Sequence, residues 1–321
     1  MRKRLVVIVC FPGVQPLDVV GPHEVFSGAT KLLASAREQG GYAIELVAST
    51  PGAMTTESGL QLVAPRPLPQ ARQIDTLLIP GGDGVLAARA DRTLVRFIGR
   101  AARTTRRVGS VCSGTFLLAE AGLLDGRRVT THWRRADQLA AEYPAVRVDA
   151  DPIYIHDGSI WTSAGVTAGI DLALAMVEED HGAEIAQTIA RHLVMFLRRP
   201  GGQSQFAAPV WTPPAAHDGV RAAQDHVNVD PASDHRVDIL ARAAGMSSRH
   251  FTRVFHEQVG ESPARYVERV RVDRARGMLE RDDYGVAVVA QRCGFGTAET
   301  MRRAFVRRVG VAPDDYRKRF R

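Results

Sequence analysis

Val108-Gly109-Ser110-Val111-Cys112-Ser113-Gly114-Thr115-Phe116-Leu117-Leu118-Ala119-Glu120-Ala121 is a short apolar run that turns at once into an apolar helical stretch. A strand buried on both faces of a sheet reads as a near-continuous apolar run, and a short βα turn joins it to its crossover helix. Outward from this stretch the alternation repeats. Residues 5–11, 43–48, 74–80 and 108–112 predict buried parallel strands. Residues 17–39, 93–104 and 115–121 predict helices. Residues 146–149, 153–156 and 159–162 predict further strands or a hairpin turning at Asp157-Gly158. Residues 168–177 and 183–196 predict apolar-rich helices, either of which can offer a core face or a dimer face. Strands alternating with helices predict an α/β domain, a doubly wound parallel sheet with helices on both faces.

Ligands in open α/β sheets bind beyond the carboxyl ends of the strands. Three polar features are expected there: Asp18 after the first strand, Gly81-Gly82-Asp83-Gly84 after Ile79-Pro80, and Cys112-Ser113-Gly114 after the opening strand. The last has the form of a nucleophile elbow. Helix N-terminal amides beside Cys112 would lower its thiol pKa and stabilise an oxyanion, with Gly82 offering one further amide. Asp18, a lone carboxylate between Leu17 and Val19, needs a partner if buried and can carry a proton to Cys112. His132 is a second candidate base. The plainer alternatives stay open: Cys112 as a core thiol, His132 as a ring wall beside Trp133. The glycines around Cys112 lack the GxGxxG spacing, and neither a cofactor nor a metal is expected.

The chain has 321 residues, more than one compact domain usually holds. Its 45% hydrophobic and 24% charged residues exclude a wholly disordered or fibrous protein. It carries 42 basic and 35 acidic residues, and only Lys3, Lys31 and Lys318 are lysines. The excess is local. Residues 230–321 hold 19 basic and 13 acidic residues, a net of +6, which leaves +1 for the rest. The last part is therefore the nucleic-acid candidate. The breaker cluster at 198–205 and Trp211-Thr212-Pro213-Pro214 mark a linker at 200–220 between domains at 1–199 and 221–321. Three cysteines without a CxxC make no disulfide framework, which points to a reducing compartment. The first apolar run stops at Pro12, too short to span a membrane, and a cytoplasmic protein without membrane contact is expected.

The basic region repeats internally. Gly245 and Gly294 are 49 residues apart, while Phe255 and Phe305, Gly260 and Gly310, and Pro263 and Pro313 are 50 apart. Each copy reads as a short helix (237–244, then 286–292), a glycine turn, and a second helix (248–259, then 297–309). Ser247 and Thr297 are the expected caps. Phe251 with Phe255 and Met301 with Phe305 share buried faces at i,i+4 spacing. The opposite faces carry Ser248, Arg249, Thr252 and Arg253 in one copy and Thr297, Glu299, Thr300, Arg302 and Arg303 in the other. Short polar residues and arginines at a helix start suit base-edge reading in the major groove. Arg265, Arg269, Arg307 and Arg308 are expected at phosphates or the surface. A rigid helix over 263–281 would join two helix-turn-helix units in an all-α domain.

The first domain resembles the DJ-1/PfpI-like branch of the glutamine-amidotransferase-like superfamily. The resemblance rests on Phe11-Pro12-Gly13, the Leu17–Phe26 stretch, Ile79-Pro80-Gly81-Gly82, Val111-Cys112-Ser113-Gly114 and Thr162-Ser163-Ala164-Gly165. It covers about residues 4–197 and implies a flavodoxin-like sandwich. It is similar in particular to isonitrile hydratases, where the Cys attacks the isonitrile carbon and the Asp moves protons. Cys112 and Asp18 would take those roles. It equally resembles sensor domains of transcription factors, where the same fold serves as a ligand pocket. The last hundred residues resemble the AraC/XylS-family DNA-binding domain, through Ala243-Ala244-Gly245-Met246-Ser247, Cys293-Gly294-Phe295, Phe305, Gly310, Pro313 and Tyr316-Arg317. They depart from it at Thr300-Met301, where the family carries an aromatic pair. Together the resemblances imply a sequence-specific DNA-binding regulator, an activator, reading promoter DNA as a homodimer in contact with RNA polymerase. A small polar metabolite would be its effector, bound around Asp18, Gly82, Cys112, Ser113 and His132. The alternative is a thiol-dependent enzyme of isonitrile hydratase type fused to a DNA-binding domain, with Cys112, Asp18 and His132 catalytic.

Overall fold

The structure, a computed structural model, describes residues 3–37, 40–69, 74–197, 202–203, 206 and 215–320. The chain forms two compact units, residues 1–199 and 200–321. Most of the breaker cluster and the Trp-Thr-Pro-Pro segment lie outside the described residues.

The first unit opens with β1 (Arg4–Val9), α1 (Pro16–Ser35) and β2 (Tyr42–Ala48). A hairpin of β3 (Gly52–Thr55) and β4 (Gln61–Ala64) follows, then a short β5 (Arg66–Pro67). Next come β6 (Thr76–Ile79), α2 (Val85–Ala90), α3 (Arg92–Ala101), β7 (Arg107–Val111) and α4 (Thr115–Glu120). The remainder is β8 (Arg128–Val129), α5 (Trp133–Glu142), β9 (Arg147–Val148), β10 (Tyr154–Asp157), β11 (Ile160–Ser163), α6 (Ala168–His181) and α7 (Ala183–His192). Seven strands form one sheet in the order β10-β11-β7-β6-β1-β2-β5. Val6, Val7, Ile8 and Val9 and the facing Leu77, Leu78 and Ile79 are buried, which is why these runs read as uniformly apolar.

The sheet is mixed rather than wholly parallel, because β10 pairs antiparallel with β11. The two-residue connection through Gly158, at φ 64°, is far too short for a crossover helix and suits only a hairpin. After β1 the chain winds through β2 toward one edge, then returns to place β6 on the other side of β1. That reversal is the topological switch point. The turns after β1, β6 and β7 open there together.

The second unit is all helical: α8 (Asp218–Val229), α9 (Val237–Ala243), α10 (Ser248–Val259), α11 (Pro263–Arg281), α12 (Val286–Arg292), α13 (Ala298–Val309) and α14 (Pro313–Phe320). The caps are where the residue types place them. Ser247 Oγ accepts from His250 N–H, Ser262 Oγ from Arg265 N–H and Thr297 Oγ1 from Thr300 N–H. Gly260 and Gly310, both at φ 80°, close α10 and α13 in the left-handed conformation. Phe251 and Phe255 are buried against Tyr266, Met301 and Phe305 against Tyr316. Met301 is fully buried, so the thioether fills the slot that the resembling family gives to an aromatic ring. Phe305→Ala should cost about 3–5 kcal/mol through the cavity it leaves. Thermal or urea unfolding monitored in this unit checks that, and a loss under 1 kcal/mol would contradict the packing.

Candidate functional site

Cys112 is the last residue of the sheet side of the elbow, opening a short 3-10 turn (Cys112–Gly114) into α4. Its φ is 56°, an uncommon conformation for a side-chain-bearing residue. Neighbouring glycines make room for it. A Cβ on Gly165 would lie 2.2 Å from Cys112 Cβ, one on Gly81 2.5 Å from Ser113 N, and one on Gly114 2.1 Å from the Ile79 carbonyl. The Cys112 carbonyl is pinned by the Thr131 hydroxyl at 2.8 Å and the Thr115 hydroxyl at 3.1 Å. Strain of this kind persists only where the surroundings enforce it, and it gathers at functional sites.

Asp18, on the first turn of α1, is 1% exposed. Its carboxylate accepts Gly81 N–H at 2.9 Å and Val166 N–H at 2.7 Å. Val166, a β-branched residue at φ 52°, is the second strained residue of the site. The expected buried partner of Asp18 is thus a pair of backbone amides. Burial raises its pKa to about 7, outweighing both amide bonds, which act to lower it, and Glu57 adds a small upward push.

Two expectations are corrected. The Cys112 thiol pKa is raised, not lowered: burial is the main cause and the Asp18 charge the next, against weaker opposition from the Ser113 amide and hydroxyl. The Gly82 amide is not free for an oxyanion either. It donates to Ser113 Oγ at 3.0 Å, and Ser113 Oγ donates back to the Gly82 carbonyl at 3.3 Å. The Gly81 amide serves Asp18 and the Asp83 amide serves Glu57 at 2.9 Å, so the loop spends its donors on the site's own side chains.

His132 shares the cleft but takes a different job. It caps α5, its Nδ1 accepting Arg134 N–H at 3.3 Å, and it stacks on Trp133. Burial, with Arg134 and Arg135 nearby, lowers its pKa. A cleft of about 660 Å³ is lined by Gln15, Glu57, Asp83, Cys112, His132 and Arg135, with Gly82, Ser113, Arg134 and Val166 completing the wall. Its size suits a small ligand. Glu57 escaped the sequence reading because Thr-Glu-Ser-Gly reads as a solvated turn. The structure brings it in by folding the β3–β4 hairpin over the mouth, where Glu57 also accepts a bond from Gln15 Nε2. Among the described residues no group of three His, Cys, Asp or Glu is placed to hold a metal ion.

In the helical unit, Ser248, Arg249 and Arg253 stand exposed on α10, with Thr252 half-buried; its hydroxyl bonds the Ser248 carbonyl at 2.7 Å. Thr297, Glu299, Thr300, Arg302 and Arg303 are exposed at the start of α13. Arg253 pairs with Glu257, and Arg302 and Arg303 with Glu299. Such exposed pairs are weak and yield readily to a phosphate or a base edge. Arg265 is exposed as expected. Arg307 is exposed as expected, paired with Glu268. Arg269 is instead packed over the Tyr266 ring and bonded to Glu261, and Arg308 is half-buried against Glu268, so these two are engaged within the domain.

Two outcomes follow for the cleft. Asp18 should titrate near pH 7 by carbonyl carbon NMR, and a midpoint near the ordinary 4 would contradict the burial argument. Between those values the native state holds more protons than the unfolded chain, so this group's contribution to stability falls as pH rises from about 4 to about 7 and is flat above. Cys112 should react with iodoacetamide more slowly than a free thiol at pH 7; faster alkylation would mean an activated thiolate.

The DJ-1/PfpI family profile matches residues 4–179, and a helix-turn-helix domain profile matches residues 240–319. An HTH-type transcriptional regulator of Mycobacterium tuberculosis is 38% identical over 263 residues, covering 77% of this chain and 96% of that protein. An isonitrile hydratase of Pseudomonas putida is 32% identical over 237 residues, covering 73% of this chain and 93% of that protein. The crystal structure of a ThiJ/PfpI family protein from Pseudomonas syringae superposes with a TM-score of 0.54 at 26% identity, covering 79% of this chain and 91% of that one. With the elbow thiol, its glycine cage and the duplicated helix-turn-helix all in place, the chain belongs to the DJ-1/PfpI family, in the branch that fuses this domain to an AraC/XylS-type DNA-binding domain.

Proposed function

We propose that the protein is a cytoplasmic transcriptional activator that reads promoter DNA with α10 and α13 and is controlled by a small polar metabolite held in the Cys112 cleft. The observation that carries this reading is the pair of exposed helix faces, Ser248-Arg249 with Arg253 and Thr297 to Arg303, on units sharing one continuous helix. That arrangement supports entry into two successive major-groove segments about one helical turn apart. The cleft carries Glu57 and Asp83 alongside Arg134 and Arg135, a lining that favours a polar ligand bearing charge of both signs. Gly82, Cys112, Ser113 and His132 act as its walls, whereas Asp18, expected there too, is 1% exposed and lies outside the lining. A ligand changes DNA affinity only to the extent that it binds one state of the protein better than another. Val194 and Phe196, 92% and 74% exposed beyond α7, supply apolar surface that a second copy would cover, which supports a homodimer. RNA polymerase is the partner through which activation would act.

A second reading, a thiol-dependent enzyme of isonitrile hydratase type, is favoured by one observation. Asp18, buried and held by the Gly81 and Val166 amides, lies close enough to Cys112 for its charge to push the thiol pKa up. Occupation of the Gly81, Gly82 and Asp83 amides argues against it, since no donor of that loop is left for a developing anion. Cys112→Ser separates the two readings. A variant that binds its ligand and still responds in DNA affinity supports the sensor, whereas ligand binding with all activity lost supports the enzyme. On the DNA side, Arg249→Ala should change base preference by about 1–3 kcal/mol at one position. Arg265→Ala should weaken binding evenly across sequences and reduce the salt slope by about 1. Equal effects of both variants on every sequence would contradict the assignment.

A further inference from the structure

The two helix-turn-helix units have separate apolar cores threaded on one helix. The first core takes Tyr266 and Val267 from the N-terminal part of α11, together with Phe251, Phe255 and Leu240. The second takes Val272, Ala275, Met278 and Leu279 from its C-terminal part, together with Met301 and Phe305. The region between them is a groove of about 470 Å³ lined by Arg236, Glu268, Arg271, Thr300, Arg303 and Arg307, among others. An apolar layer would tolerate sliding and repacking, whereas hydrogen bonds fix direction and distance.

Two polar ties cross this groove. In the first, Arg271 Nε donates to the Pro231 carbonyl at 2.8 Å and Arg271 Nη2 to the Ser233 carbonyl at 2.9 Å. These bonds fasten the polar loop that leads into α9. A bond of 2.7 Å between His235 Nε2 and the Asp230 carbonyl folds the loop on itself. The fastened loop then abuts the turn glycine of the second unit. A Cβ on Gly294 would lie 2.8 Å from both Ala232 Cα and the Pro231 carbonyl oxygen. In the second tie, Glu268 accepts from Arg308 Nε at 2.9 Å and also from Arg307, while Arg308 Nη2 donates to the Arg265 carbonyl at 2.6 Å. This fastens α13 to the part of α11 that belongs to the first unit.

We infer that Glu268 and Arg271, one turn apart on α11, are positioning residues that hold the two reader helices at the spacing of successive major-groove segments. The inference rests on the DNA-binding reading above. Partly exposed ion pairs contribute little to stability, so the role of the Glu268 clamp is angular: it fixes where α13 points relative to α10. A joint of this kind raises the effective concentration of the second reader once the first is bound, and a loosened joint forfeits that gain.

The test uses the full chain on duplexes selected by the wild type from a random pool, then on the same duplexes lengthened by one or two base pairs between the two protected segments. Hydroxyl-radical footprinting should show two protected segments for the wild type, and one inserted base pair should weaken binding roughly tenfold or more. The Glu268→Gln, Arg271→Met double variant should bind the selected site roughly tenfold more weakly and lose most of that insertion penalty, with either segment protected singly. Glu268→Gln alone, a surface change that leaves both cores intact, should reduce the penalty in part, and Arg271→Lys should restore some of it. A merely stabilising role would shift the thermal midpoint and leave the insertion penalty unchanged. An unchanged penalty in both the single and the double variant would overturn the inference. Failure of the wild type to select any duplex would overturn the DNA-binding reading, and the inference with it.

Discussion

The close approach of three loops around Cys112 is the constraint on which the first unit depends. Gly81, Gly114 and Gly165 each lack room for a single added carbon, and that absence of side chains lets the loops close around Cys112 at φ 56°. The same crowding brings the Gly81 and Val166 amides onto Asp18. A carboxylate with two amide donors would ordinarily be strongly acidic. Here burial outweighs them, and Asp18 comes to rest near neutrality beside a thiol held in its protonated form. Backbone strain, loop packing and proton affinity are one arrangement seen from three sides, placed where the strand order reverses at β1 and β6.

The helical unit obeys a different constraint. A domain of this size divided into two small cores has little apolar burial to spare for fixing one core against the other. The continuous α11 supplies the axis, and rotation about it is limited by directional polar contacts at Glu268, Arg271 and the loop ahead of α9. Arg307 and Arg308 are thereby drawn into the joint, while Arg249, Arg302 and Arg303 stay on the exposed faces of the readers. The basic excess in this region thus divides between contacts within the domain and arginines left exposed on α10 and α13.

Much of this was legible locally. The bounds of α10 and α11 follow from Ser247, Gly260 and Ser262-Pro263, because caps and stops act within a turn of the residue that makes them. The strands of the central sheet were legible because burial on both faces leaves an uninterrupted apolar run. What was missed depends on distant parts of the chain. The β3 and β4 strands are only four residues each and leave Val63 exposed, too short and too open for a burial period to show, and α5 shows one buried face only at Ala136 and Leu139. Glu57 reaches the cleft only because that hairpin folds over it. The thiol of Cys112 was misjudged for a related reason: helix-end amides are visible in a sequence, whereas desolvation is a property of everything packed around it. Likewise the Gly82 amide is spoken for by Ser113, thirty-one residues away, a pairing that no local pattern announces.

On the reading proposed above, occupancy of the Cys112 cleft changes DNA binding by the helical unit. The most direct measurement is the affinity of the full chain for a selected duplex, with and without each member of a panel of small zwitterionic and polar metabolites, repeated with a Glu57→Ala, Arg135→Ala variant that alters only the cleft lining. At least one compound should shift the wild-type affinity severalfold, and the cleft variant should lose the shift while keeping its unliganded affinity. A shift that persists unchanged in the variant, or consumption of the compound with no change in DNA affinity, would rule out control of DNA binding from this cleft.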